Sequence, residues 1–138
     1  MELINTSKKT TLLIVEDDMG WRLILKHMML NMNLEAIYAE TGEDALKIIS
    51  ERDDVSIVIM DVSLGNGMSG LDLGERIKSE SRFKDTPMIA MTAYEEQVLG
   101  DFHNKGFTGY LRKPYSLDQL GKVLDTQVSQ ESAYKNLN

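Results

Sequence analysis

VSIVIMD, residues 55–61, decides the fold. Residues 55–60 are nearly all apolar and rich in branched side chains, without the polar alternation of a strand that has one wet face. Such a strand is expected to be buried on both faces, which places it centrally in a parallel sheet with helices on either side. It closes on an acid, Asp61, before the loop SLGNGMSG, whose Gly65, Gly67 and Gly70 permit positive φ and close backbone approach.

Outward from that strand, strand-length apolar runs alternate with stretches of helical period. Residues 11–16 form a first strand, after which Trp21, Ile24, Leu25, Met28 and Met32 recur on one helix face. A weaker strand follows at residues 35–38, and Ala45, Leu46, Ile48 and Ile49 mark a second helix. Leu73 and Ile77 place a third helix, residues 87–91 a fourth strand, and Val98, Leu99 and Phe102 a short fourth helix. Residues 107–111 form a fifth strand, and Leu117, Leu120, Leu124 and Val128 carry the last helix. Five strand–helix pairs predict a doubly wound α/β domain. The helix starts agree, because Thr41–Asp44, Ser69–Asp72 and Ser116–Gln119 each resemble a capping box. The organisation reads as an N-terminal extension over residues 1–9, one domain over 10–128 and a polar tail over 129–138 that frays or extends the last helix.

Bulk properties bound the function. The 138 residues allow one domain with a hydrophobic core and are too few for two ordinary ones. A formal net charge of −7 argues against direct DNA binding driven by phosphate neutralisation. The absence of cysteine removes disulfides and thiolate metal sites. The apolar runs are shorter than a membrane span, and MELINTSKKTT lacks the apolar core of a secretory signal, so a cytoplasmic protein without membrane contact is expected.

The chemistry-bearing residues stand at strand ends. Glu16 and Asp17 follow the first strand, Asp61 the third, Thr92 the fourth and Lys113 the fifth. In a parallel sheet the carboxyl ends share one edge, so these residues converge. An oxygen-rich pocket suits a divalent cation, and an Asp beside it can act as a nucleophile toward phosphorus. Each residue also has a plainer role. Asp17 or Asp18 can cap the first helix, Asp61 can be a turn residue, Thr92 can open a capping box with Glu95, and Lys113 can be a solvated cation. Lys113-Pro114 is a candidate cis bond. His27 and His103 read as solvated or packed side chains. Trp21 stands near the pocket rim or simply packs on the first helix face.

Together LLIVEDD, IVIMD, MTA and GYLRKP make the chain resemble response-regulator receiver domains over roughly residues 10–128. The resemblance implies a flavodoxin-like sheet of order 2-1-3-4-5 with five helices. It implies Asp61 as phosphoacceptor, with Glu16, Asp17, Asp61 and the Ser63 carbonyl around Mg2+, for which Mn2+ is an alternative. It implies Thr92 and Tyr110 as a switch pair and Lys113 as the phosphate ligand. The partners implied are a sensor histidine kinase or histidine phosphotransfer protein and a downstream protein target. The signal would pass through the face of the fourth helix, fifth strand and last helix, which is also compatible with a homodimer. The chain would thus be a signalling switch and not an enzyme beyond its own phosphorylation and dephosphorylation. One departure is Gly65, which stands where proline is common in the family, in a loop one residue longer than in many members. Two other readings remain: a receiver-like binding module independent of phosphorylation, and an aspartate-nucleophile phosphatase. Against the latter, position 63 is Ser where an acid/base Asp would be needed, and no cap domain fits in the length.

Overall fold

The computed structural model describes the backbone of residues 10–65 and 67–137 and the side chains of residues 10–65 and 67–127. The expected extension, residues 1–9, lies outside them. Five strands, β1 (Thr11–Val15), β2 (Glu35–Ala39), β3 (Ile57–Asp61), β4 (Met88–Thr92) and β5 (Gly109–Arg112), pair in parallel in the order β2-β1-β3-β4-β5. Four α-helices connect or follow them: α1 (Met19–Asn31), α2 (Gly42–Glu51), α3 (Gly70–Ser79) and α4 (Leu117–Leu137). The last helix therefore runs on through the polar tail.

Strand alternation divides the core into two layers. Leu13, Val15, Val58, Met60, Met88 and Ala90 face α2 and α3, whose Ala45, Ile49, Leu73 and Ile77 close over them. Leu12, Ile14, Ile57, Ile59, Ile89 and Met91 point the other way, toward Leu25 and Met29 of α1 and Leu120 and Leu124 of α4. Because β3 meets both layers, it has no room for a polar residue until its last position, Asp61. Central placement of this strand thus follows from its unbroken apolar run.

Each helix start has its expected cap. Thr41 accepts from the Asp44 N–H and Ser69 from the Asp72 N–H, both at 3.1 Å. At α4 the exchange is reciprocal, with Ser116 Oγ accepting from the Gln119 N–H and Gln119 Oε1 accepting from the Ser116 N–H. These bonds satisfy backbone donors left open by the first turn.

The expected fourth helix is absent, so the described residues contain four α-helices rather than five. Two 3-10 turns, Glu96–Leu99 and Phe102–Lys105, occupy the connection between β4 and β5. Gly100 separates them at φ 60° and ψ −119°, a conformation that ends one turn before the other begins. Phe102 is buried against Phe107 and Tyr110, whereas Val98 is 65% exposed. The three apolar residues that suggested one helix face do not share one.

Candidate functional site

The parallel register brings the strand ends to one edge. Val15 is level with Met60, Asp61 with Met91, and Thr92 with Arg112. Two further bonds extend the ladder, from the Glu16 N–H to the Ala39 carbonyl (3.0 Å) and from the Lys113 N–H to the Thr92 carbonyl (2.7 Å). Glu16, Asp61 and Thr92 are buried there, while Asp17 is exposed.

Three carboxylates, from Glu16, Asp17 and Asp61, offer oxygen atoms within 4.8 Å of one another. Lys113 answers their charge. Its Nζ donates to Asp61 Oδ2 at 2.9 Å and also to Glu16 Oε1. The remaining oxygens of the buried acids accept backbone N–H groups, Glu16 Oε2 from Asp18 (3.1 Å) and Asp61 Oδ1 from Ser63 (2.8 Å). The capping role suggested for EDD falls to Asp18 alone, whose Oδ1 accepts from the Trp21 N–H at 2.9 Å. Glu16 and Asp17 are thereby left for the pocket.

Burial is the main influence on Glu16 and raises its pKa, against the opposing pull of Lys113 and the Asp18 N–H. For Lys113, burial lowers the pKa, but hydrogen bonds to Glu16 and Asp61 and their charges outweigh it, so the ammonium titrates above the usual lysine value. Lys113 is therefore a fixed cation at neutral pH.

Gly65 closes the other side of the pocket. Its N–H donates to Asp17 Oδ2 at 2.7 Å. A Cβ at this position would stand 2.7 Å from the same oxygen. Proline, which has no N–H, could not make this bond. The glycine is thus a direct support of one acid.

The donor set fits a hard cation. All three side chains offer carboxylate oxygen, the ligand type that magnesium and manganese take in preference to nitrogen or sulfur. Each oxygen that accepts one hydrogen bond keeps a second lone pair, and Asp17 Oδ1 adds another donor atom.

Thr92 does not open a capping box. Its Oγ1 accepts from the Tyr94 N–H at 3.2 Å, and no α-helix follows. Tyr110 donates its hydroxyl to the Tyr94 carbonyl, so the peptide groups of Tyr94 join the two residues expected to form the switch. Lys113-Pro114 is cis. His27 is exposed, and His103 packs on Phe102 with Nδ1 3.0 Å from the Phe107 carbonyl. Among the described residues, neither imidazole bonds to an acid of the pocket.

Trp21 is more closely involved than its helix position suggested. Lys113 Nζ lies 5.0 Å from the centroid of its ring, and the ring stacks on Tyr115. The signal available in the sequence was its place four residues after Asp17.

Residues 12–125 match the sequence profile of the response regulator receiver domain. The chain is 30% identical over 117 residues to the chemotaxis protein CheY1 of Helicobacter pylori, covering 83% of this chain and 93% of that protein. It is 28% identical over 127 residues to the autoinducer 1 sensor kinase/phosphatase LuxN of Vibrio campbellii, covering 92% of this chain but 14% of LuxN. A putative response regulator from Chloroflexus aurantiacus superposes with a TM-score of 0.82 at 28% identity, covering 88% of this chain and 99% of that one. The receiver domain of the sensor histidine kinase PA1611 of Pseudomonas aeruginosa, solved with magnesium in its active site cleft, shares the fold. Its TM-score is 0.78 at 21% identity, covering 88% of this chain and 99% of that one.

Proposed function

This chain belongs to the response regulator receiver domain family, and on that footing we propose that it is a phosphoacceptor switch whose reactive group is the Asp61 carboxylate. The observation that carries this reading is the bridge made by Lys113 Nζ between Asp61 and Glu16, with Asp17 alongside. Structural ion pairs are commonly two-membered and exposed. This one sets a single ammonium against two buried acids and leaves the third acid open to solvent. Magnesium, or manganese in its place, would be held by Glu16, Asp17, Asp61 and the Ser63 carbonyl, and would supply the positive charge that lets a phosphoryl group approach these acids.

The residues of the chain then do the following. An Asp61 oxygen attacks the phosphorus of a phosphohistidine, forming an O–P bond as the P–N bond breaks. The donor imidazole leaves with the electron pair and takes up a proton. Lys113 shifts from the Asp61 carboxylate to a phosphoryl oxygen, and the Thr92 hydroxyl donates to another. Water later cleaves the acyl phosphate, returning the carboxylate and inorganic phosphate.

A movement of Thr92 toward the phosphoryl group draws on Tyr94, and through it on Tyr110. The readout is a changed surface along residues 94–105, β5 and α4, where Tyr94 and Val98 already stand 53% and 65% exposed. A downstream protein or a second copy of the chain reads that face. The donor is a sensor histidine kinase or a histidine phosphotransfer protein in the cytoplasm. No described helix is long and apolar enough to cross a membrane. The open rim suits a protein donor, whereas the hollow of about 520 Å³ beside Lys78, Lys84 and His103 lies by the amino ends of β4 and β5.

The proposal is not an enzyme acting on external phosphate esters, since position 63 is Ser where an acid/base Asp would be needed. The test is incubation with acetyl phosphate and Mg2+, followed by intact mass. One phosphoryl group per chain, lost on standing and absent in Asp61→Asn, is expected. Multiple turnover of a small phosphate ester without a phosphorylated intermediate would overturn the reading.

A further inference from the structure

We propose that Trp21 is a positioning residue: the face of its indole is a shelf that keeps the Lys113 ammonium inside the pocket while the bonding partners of that ammonium change. The inference rests on the phosphoacceptor reading of Asp61. Lys113 Nζ meets the carboxylates of Glu16 and Asp61 and also the Trp21 ring, whose centroid is 5.0 Å away. Tryptophan offers the best aromatic face for a cation, and attraction strengthens where water is partly removed. The Lys113 side chain is only 11% exposed.

The shelf is itself held from two sides. Trp21 occupies the first turn of α1, where the Asp18 cap fixes its backbone N–H. Its ring stacks on Tyr115 with centroids 5.3 Å apart and planes 26° apart. Tyr115 is buried, with its hydroxyl donating to Met91 Sδ at 2.8 Å. The contact therefore joins α1 to the segment that carries Lys113, across a stacked pair whose lower member is fixed in the core.

The reaction explains why such a surface is useful. Before transfer, Asp61 is a carboxylate and binds Lys113 directly. Afterwards one carboxylate oxygen is bonded to phosphorus in an acyl phosphate, and the charge sits on phosphoryl oxygens further out. A lysine on a flexible four-carbon stem has to follow the charge without leaving the rim. A hydrogen-bonding partner would fix one direction, whereas a ring face attracts the ammonium over a range of positions. The plainer alternative is that Trp21 only packs α1 against Tyr115. That alternative assigns no role to the ammonium over the ring.

A coupling experiment separates the two. Phosphorylation of Asp61 by acetyl phosphate at saturating Mg2+ is measured for wild type, Trp21→Leu and Trp21→Phe, each also in a Lys113→Met background. Trp21→Leu should slow the reaction about three- to tenfold, and Trp21→Phe should restore most of the rate. In the Lys113→Met background Trp21→Leu should have no further effect. Equal slowing in both backgrounds, or no slowing in either, overturns the proposal. A second measurement does not depend on phosphorylation. The Hε protons of Lys113 should show an upfield ring-current shift in wild type and Trp21→Phe that is lost in Trp21→Leu. Resonances unmoved by Trp21→Leu overturn the shelf even if Asp61 proves to be the acceptor. A wild type that takes no phosphate while those shifts behave as expected overturns the function of Asp61 and leaves the shelf standing.

Discussion

The rim at the ends of β1, β3 and β5 and the connection between β4 and β5 are built on opposite terms. At the rim, side chains from three strands meet around Lys113, and two of the three acids are buried with all their oxygens engaged. In the connection, residues 94–106 make two short 3-10 turns around one fully buried ring, Phe102. The rim is preorganised and the connection has few buried contacts, the profile of a segment that opens at low free-energy cost. The proposed switch needs both: a site that holds its charges still and a segment that can be moved by them. The link between them is the Tyr94 backbone, whose N–H donates to Thr92 and whose carbonyl accepts from Tyr110.

The largest expected effect breaks the rim. Lys113→Met leaves Glu16 buried without its cation and should cost about 3 to 5 kcal/mol at neutral pH in the presence of chelator. Burial already raises the Glu16 pKa above its unfolded value. The folded state therefore prefers Glu16 protonated, and the penalty for ionising it is absent below the ordinary carboxylate range and grows as pH rises through the raised pKa. Urea melts of wild type and variant should diverge at pH ~7 and converge near pH ~4. A gap independent of pH would contradict this account.

The connection breaks at its one anchor. Phe102→Ala should cost about 3 kcal/mol, as for other buried aromatic truncations, while Val98→Ala stays within about 0.5 kcal/mol. Equal costs at the two positions would mean that the segment packs as the continuous helix that its sequence suggests.

Gly65→Pro sharpens the contrast from the loop side. Removing the N–H that holds Asp17 should weaken Mg2+ binding about tenfold or more, the usual consequence of losing an outer support of a ligand. Trp21 emission provides the titration signal because Lys113 lies over its ring and bridges to the acids. Unchanged affinity would show that Asp17 orients itself without the loop. Gly100→Ala should cost about 1 to 3 kcal/mol, because φ 60° and ψ −119° is a backbone region that side-chain-bearing residues rarely enter. Nothing lies within 4 Å of the added Cβ, so the cost is that of the backbone alone. Thermal melts at a single pH measure it.

The central strands were legible because burial on both faces leaves an unbroken apolar run in the sequence. Leu12 and Ile14 serve one layer and Leu13 and Val15 the other, and the whole strand reads as apolar. Strand ends were less distinct. β3 runs over Ile57–Asp61 rather than residues 55–60, since Val55 is buried without belonging to the ladder. The spacing of Val98, Leu99 and Phe102 suited a helix but also suited two separate turns, and only the backbone at Gly100 distinguishes them. The acids, Thr92 and Lys113 were legible because each closes a strand. The support of Asp17 by Gly65 was not, because a backbone N–H leaves no side-chain signal. The contact of Trp21 with Lys113 was not, because it spans the chain and depends on where β5 lies relative to α1.

Position is the most direct test of the central claim. Wild type treated with acetyl phosphate and Mg2+ is reduced with borohydride, which converts an acyl phosphate to an alcohol, and the peptides are mapped by mass. The account predicts homoserine at position 61 and at no other acid of the pocket. Homoserine at position 16 or 17, or an unreduced Asp61 in protein that has taken up phosphate, would contradict it.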